Sequence, residues 1–510
     1  MGTRTTPRRL FLAFLVVVLA ACPEQRAAPK PPPRPPRGEL AAGAGALPDV
    51  LTVRRPTSPE WFGLYLLGKK AGFSRVHMTR ELREGRDVLV GRSETLIRAT
   101  VGGKSVERRQ EEERVYEARP AGPLVSFRAE WSGDGGDRKV AGTCAKGVCK
   151  AVETTAAGRQ ERTVDGVGET ADLADGVRLA AARRGAVRGR QLDLEKLRVK
   201  EMQNLFVRRE TIAGAGVQEE VSVVTESEEG DRLAAEYRVA DDGRVVEIRL
   251  GEAIVARPET EDTAQRFDQI DLFALARVAV PRPLPRTVPA TVVYRLEGLP
   301  ATFQKNDARQ RFTRKGKETL LTVSARRPAA ADLAKDTPLA RARAGARDED
   351  LAPTPQADAD APAVAALAKE IAGDAKGAYQ AALRLNDSVF QRLEKAYGAS
   401  HDRASDVLAA GKGDCTEHAI LFVALSRALG IPARTVHGLV YARYEDGADA
   451  LYWHAWAEVR SASEWIALDP TFGQPVADAT HIALGTGTQV DTVGLLGALK
   501  VVGVELKQGK

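Results

Sequence analysis

Between about residues 50 and 330 the chain keeps returning to one pattern: short runs of alternating apolar and polar side chains, broken by glycine turns. "WFGLYLLGKKAGFSRVHMTREL" (61–82) predicts two strands joined at Gly68-Lys69, and "RLAAEYRVADDGRVVEIRLGEAIVARPE" (232–259) repeats the design around Asp242-Gly243. "ERRQEEERVYEARPAGPLVSFRAEW" (107–131) continues the alternation. A period of two sends successive side chains to opposite faces, so these strands suit antiparallel sheet with one face buried. A helical interruption is expected near Thr170 to Ala182, and the repeated design allows two similar β units in tandem. No catalytic spacing occurs here, so a binding or spacer role is expected.

The N-terminus reads as an address. Arg4, Arg8 and Arg9 precede an apolar run, Leu10 to Ala21, too short to cross a bilayer as a helix. It ends in Leu19-Ala20-Ala21-Cys22, which resembles the bacterial lipobox and implies a lipid on the Cys22 thiol; an ordinary signal peptide is the plain alternative. Acyl chains add roughly 0.8 kcal/mol per buried methylene, enough to hold the body at a membrane. Residues 22–49 are proline-rich and predict a semi-rigid tether. The expected location is exported and lipid-anchored, on the periplasmic or cell-surface side of a bacterial membrane.

The formal charge of +6 falls to +3 once residues 1–21 and their three arginines leave (6 − 3), and acids and bases are interspersed elsewhere. Nucleic-acid binding therefore has no support from charge. Of the four cysteines, Cys144 and Cys149 flank "AKGV" and are expected to pair as a disulfide across a hairpin in an exported protein, with two unpaired core thiols as the alternative. Cys415 has no sequence neighbour to pair with.

Residues 328–361 are rich in Ala, Pro, Asp and Arg and read as a linker. Helical spacing resumes at 363–372 and 378–396. In "GDCTEHAILFVALSRALGIPAR" (413–434), Asp414 and Glu417 have capping-box spacing, and the helix that follows is apolar almost all round until Gly430 and Pro432 end it. Cys415 is thus expected at the N-terminus of a buried helix, where unsatisfied N–H groups favour a thiolate. "ARTVHGLVYARY", "ALYWHAWAEVR" and "EWIALDPTF" read as strands. A turn centred on Ser461-Ala462 would set Val459 opposite Glu464 and His454 opposite Asp469 on one face, a carboxylate placed to orient an imidazole.

With those blocks in order, "GDCTEHAILFVALSRALGIPAR", "WHAWAEV" and "WIALDPTFGQ" resemble the cysteine, histidine and aspartate blocks of the transglutaminase-like superfamily, over residues 363–484. The resemblance implies a papain-like core, making the expected class α+β: a β-rich antiparallel region (50–327) followed by a transglutaminase-like domain (362–490) and a tail (491–510). It implies Cys415 as nucleophile, His454 as general base and then acid, and Asp469 as the residue orienting the histidine. The substrate implied is a protein or peptide amide of the cell envelope, attacked to a thioester that passes to water or to an amine. No cofactor is expected. The competing class is a catalytically silent peptide-binding or scaffold lipoprotein.

Plainer roles stand beside these. Cys415 as a packed core thiol is one; a zinc site from Cys415, His418 and a second histidine lacks a convincing fourth ligand, so no metal is expected. His418 and His437 read as structural, Trp453 and Trp456 as residues on opposite faces of one strand, Arg434 and Glu458 as a pair, and Asp414 as a cap. The backbone N–H of Cys415 is the obvious first oxyanion donor. Some members of the family use an upstream Trp or Gln for the second; no Trp lies between Trp131 and Trp453 here, leaving Gln380, Asn386 and Gln391 as candidates.

Overall fold

The structure, a computed structural model, describes residues 47–507 apart from 102–103, 134–136, 156–157, 215–216, 230–232, 286, 288–289, 317, 326–335, 397–402, 444–446, 462–463 and 488–492. The leader, Cys22 and nearly all of the tether lie outside the described residues.

Among the described residues, fourteen strands make one antiparallel sheet. From Glu60–Leu66 the chain meanders outward to Gly158–Asp165 at one edge. Helices Ala171–Ala174 and Gly176–Arg183 then carry it to Ala186–Asp193 at the other edge. It meanders back to Ile254–Glu259, which pairs with the starting strand. The stretches with the repeated alternation are thereby halves of one sheet. Turn chemistry sets the register: Leu67 and Gly68 both have positive φ (49° and 81°), as the tightest right-twisted hairpins require, one residue before the expected Gly68-Lys69. The alternating apolar residues converge on a core containing Phe62, Tyr116, Trp131 and Tyr237. Arg114 is buried among them and is matched by Glu112 and Glu169, since an unpaired charge there would be costly.

The expected α+β class is corrected by this sheet. Strands take 51% of the structure and helices 19%, so the protein is dominated by antiparallel β-structure and is not a mixed α+β papain-like fold. The reason is arithmetic of connection: mostly short connections let residues 60–259 spend about two thirds of their positions on strand, while helices are largely confined to a small C-terminal unit.

In that unit, helices Pro362–Ala372, Ala378–Arg392 and Ala404–Ala410 surround the helix Cys415–Ala428, whose residues Glu417 to Arg427 are all buried. Gly430 (φ 76°) turns the chain out of it. The helix packs on a five-stranded sheet containing Ala433–Arg443, Asp449–Ser461, Glu464–Leu468 and Ile482–Thr486, with Val278–Ala279 at one edge. Residues 336–361, placed by sequence in a linker, lie against this unit: Arg427 donates to the carbonyls of Glu349 and Ala352. A third sheet joins Thr291–Glu297, Gln310–Lys315 and Glu318–Ser324 to Lys500–Lys507, so the C-terminal tail returns to a strand from before the helical unit. The short helix Leu272–Ala276, which packs on the large sheet, reaches the small one through Trp453, whose indole N–H donates to the Ala276 carbonyl at 2.9 Å.

Candidate active site

The cysteine helix begins with the capping box its sequence spells. Asp414 accepts from the Thr416 N–H at 2.8 Å, and Glu417 accepts from the Asp414 N–H at 2.9 Å. That cap changes the electrostatics expected of the position. Cys415 keeps partial solvent exposure, yet burial, and then the negative charge of Asp414, push its thiol well above the usual range, with Glu417 and Asp469 adding to the rise. The backbone of Ala455, nearby, opposes them. Burial first, and then the acidic cap, thus oppose the thiolate that the helix end alone would favour. Any thiolate has to come from a base.

His454 lies on the strand Asp449–Ser461, which packs against the helix that begins at Cys415. Its Nε2 lies 2.8 Å from Asp469 Oδ2. The ring is stacked on Phe472 at 4.9 Å and lies 6.1 Å from Trp456, between aromatic walls. Gly438, opposite His454 on the neighbouring strand, allows this packing: a Cβ there would meet the Ile482 carbonyl oxygen at 1.9 Å and the Trp456 ring at 3.0 Å.

The hairpin joining His454 to Asp469 is registered two residues away from expectation. Ser461 pairs with Glu464 and Val459 with Ile466, and the ladder ends at Ala457–Leu468. Because the slip is even, both side chains stay on the same face, and they meet diagonally instead of directly opposite. Asp469 then closes a turn with Gln474, and its Oδ1 accepts from the N–H groups of Thr471 and Phe472 at 2.8 and 3.1 Å. Burial alone would raise this carboxyl. His454, by charge and hydrogen bond, and His481 outweigh that effect and hold it well below the usual carboxylate range.

His481 is a site residue that the sequence did not single out. Its Nε2 lies 3.0 Å from the same Asp469 Oδ2, and its Nδ1 lies 3.2 Å from Asp478 Oδ1. The signal that could have found it is the Asp478–His481 spacing just past the aspartate block. His454, Asp469 and His481 form the one cluster of metal-ligand composition among the described residues, their atoms within 4.8 Å of one another. Both nitrogens sit at hydrogen-bond distance from one carboxylate oxygen, so the groups satisfy each other as a proton network.

The other expected residues fall elsewhere. His418 is buried with Nδ1 2.6 Å from the Asp414 carbonyl, and burial lowers its basicity. His437, also buried, faces the Gly487 carbonyl at 3.2 Å and is lowered to about 4 by burial. Arg434 pairs with Glu458 at 2.7 Å and lies over Trp465. Of the amide candidates for the oxyanion, Gln391 donates to Asp387 and Gln380 accepts from the Lys376 N–H, while Asn386 is buried with no hydrogen-bond partner on its Oδ1. Cys144 and Cys149 face each other in register across their hairpin in the large sheet and are bonded.

Residues 365–470 match the family model of the transglutaminase-like superfamily. This segment is a transglutaminase-like core. It holds Cys415, His454 and Asp469, and it stops short of Asp478 and His481. No curated protein matches the chain. Among solved structures, one described as a "Putative Cysteine Protease" from Cytophaga hutchinsonii is 16% identical, covering 43% of this chain and 84% of its own, with a TM-score of 0.29. The β-barrel-like domain of unknown function from Brucella abortus is 10% identical over 39% of this chain and 95% of its own (TM-score 0.29). The periplasmic domain of TgpA from Pseudomonas aeruginosa is 16% identical over 36% and 88% (TM-score 0.21). At such scores these likenesses carry no argument about the chemistry of the transglutaminase-like core.

Proposed function

We propose that this chain is a membrane-tethered cysteine enzyme of the transglutaminase-like type, attacking carboxamide or peptide bonds of cell-envelope proteins through a thioester. The observation that supports it is Asp469 Oδ2 2.8 Å from His454 Nε2, on the strand packed against the helix that begins at Cys415. With Nε2–H donated to Asp469, the imidazole keeps its other nitrogen bare to take the Cys415 proton. The thiolate then adds to the substrate carbonyl, His454 returns the proton to the leaving amine, and the acyl group stays on sulfur. Water as acceptor gives a peptidase or deamidase; a lysine amine gives a cross-link. Because burial disfavours the free thiolate, reactivity depends on His454 more strongly than on the helix end.

That same burial favours a second reading, a catalytically silent binding or scaffold module. Iodoacetamide separates the two. In the enzyme, Cys415 alkylates at neutral pH faster than a free peptide cysteine, and His454→Ala slows it by roughly 10²-fold or more, the usual worth of a general base. Equal rates in both proteins would leave the scaffold. Incorporation of a biotinylated amine into protein marks transfer as opposed to hydrolysis. No helix among the described residues is long and apolar enough to cross a membrane; the tether is proposed on Cys22, and release of Cys22→Ala from the membrane fraction tests it.

A further inference from the structure

Asp469 receives two imidazoles, and the second has no part in the chemistry proposed above. Its environment specifies its protonation by geometry. Asp469 is acceptor-only, with Thr471 N–H and Phe472 N–H on one oxygen and both rings on the other. Asp478 is equally so: Oδ1 accepts from the Thr480 N–H and hydroxyl, and Oδ2 from the Gln474 amide at 3.1 Å. Carboxylates lined by donors are ionised, and His481 sits between two of them with one ring nitrogen on each, so both nitrogens must donate.

The loop carrying His481 is clamped from outside the transglutaminase-like core. Arg309, just before the strand Gln310–Lys315, donates to the carbonyls of Ala477 (2.7 Å), Asp478 and His481 (3.2 Å). Beside it the Gln310 amide donates to the Ala483 carbonyl at 2.7 Å and accepts from the Ala483 N–H at 3.0 Å. Trp456 meets the His481 ring edge-on at 5.1 Å. The third sheet therefore presents this histidine to the site at a fixed position.

We propose that His481 is a positioning residue of the same site, an imidazolium that pins Asp469 against His454 and balances the carboxylate's charge beside Cys415. The inference rests on the enzyme reading above and extends it to a fourth side chain. An unbalanced Asp469 would act on the sulfur directly, since its charge already contributes to the raised thiol. Consistent with this, His481 is raised: burial lowers it, and the hydrogen bonds and charges of Asp469 and Asp478 outweigh burial. The titratable and charged groups around it among the described residues are Asp469, Asp478, His454 and Arg309, with Tyr294 behind Asp478.

The test is the pH profile of Cys415 alkylation by iodoacetamide in the full chain. His481→Gln keeps a donor toward Asp469 and removes the positive charge, so the acid limb should move up by about one pH unit, the effect of a unit charge several ångströms away in a partly buried site. The rate on that limb then falls roughly tenfold. An unmoved limb in His481→Gln, with His454→Ala still slowing alkylation, overturns the inference and leaves the enzyme reading standing. Wild-type alkylation no faster than His454→Ala sinks the enzyme reading instead. In that case the ring nitrogens, observed by NMR in protein labelled with 15N-histidine, still decide the placement: two N–H signals for His481 at pH 7 are expected, and one bare nitrogen overturns it.

Discussion

Asp469→Asn is the substitution that most directly probes the centre of the site. The amide is nearly isosteric, and its Oδ1 still accepts from the N–H groups of Thr471 and Phe472. Its NH2 group, however, faces two ring nitrogens that now donate to a carboxylate. Asp469 and His481 are both buried, so the change removes one partner of a buried pair, and the expected loss of stability is about 3–5 kcal/mol. The pH dependence has a definite sign. Asp469 is depressed in the folded protein, so its contribution is complete above the unfolded carboxyl range near pH 4 and is lost as pH falls below it. His481 is raised, so its contribution is complete below an unfolded value of about 6.5 and is lost as pH rises through the folded value. Wild-type stability should thus fall on both sides of a plateau between roughly pH 4 and 6.5, and Asp469→Asn should flatten both shoulders. Urea unfolding followed by tryptophan fluorescence at pH 3, 5.5 and 8.5 measures it, with Trp453, Trp456 and Trp465 reporting on this unit. A loss under about 1 kcal/mol at pH 5.5, with both shoulders unchanged, would show that the carboxylate network is a surface-like pair and refute the argument.

Three further outcomes follow from particular contacts. Gly438→Ala sets a methyl group against the Ile482 carbonyl and Trp456, so overpacking should cost about 1–3 kcal/mol in thermal unfolding and slow Cys415 alkylation with it. Phe472 is 39% exposed yet stacks on His454, so Phe472→Ala should cost only about 1 kcal/mol in stability while lowering the alkylation rate several-fold; unchanged kinetics would separate the ring from the site. Reducing the Cys144–Cys149 bond frees a short loop, worth about 2 kcal/mol, and should lower the melting temperature of the large sheet without altering Cys415 reactivity.

Much of the helix at Cys415 was legible because its signals are local. Asp414, Glu417, Gly430 and the unbroken apolar run need only near neighbours to specify a capped, buried helix. The same locality misled the electrostatics: dipole reasoning counts the N–H groups of the helix end, while the burial that chiefly reverses the outcome depends on what packs around it. The hairpin behaves similarly. Alternation put His454 and Asp469 on one face, because a face is set by parity, while the turn residue that fixes register by two positions is set by how the loop closes. Class was misjudged for a related reason: each alternating run announces a strand, but none announces that fourteen will share one sheet.

What the sequence determined by itself is therefore the local elements and the parity of their faces: Cys415 at the start of a capped helix, His454 on a strand, and Asp469 just past the end of the strand paired with it. Only the tertiary structure decided how those groups are charged and held. The reach of Arg309 to the carbonyls around His481, across more than 150 positions of chain, leaves no local pattern, and the protonation of Cys415 and His481 follows from burial and from neighbours that only folding brings near.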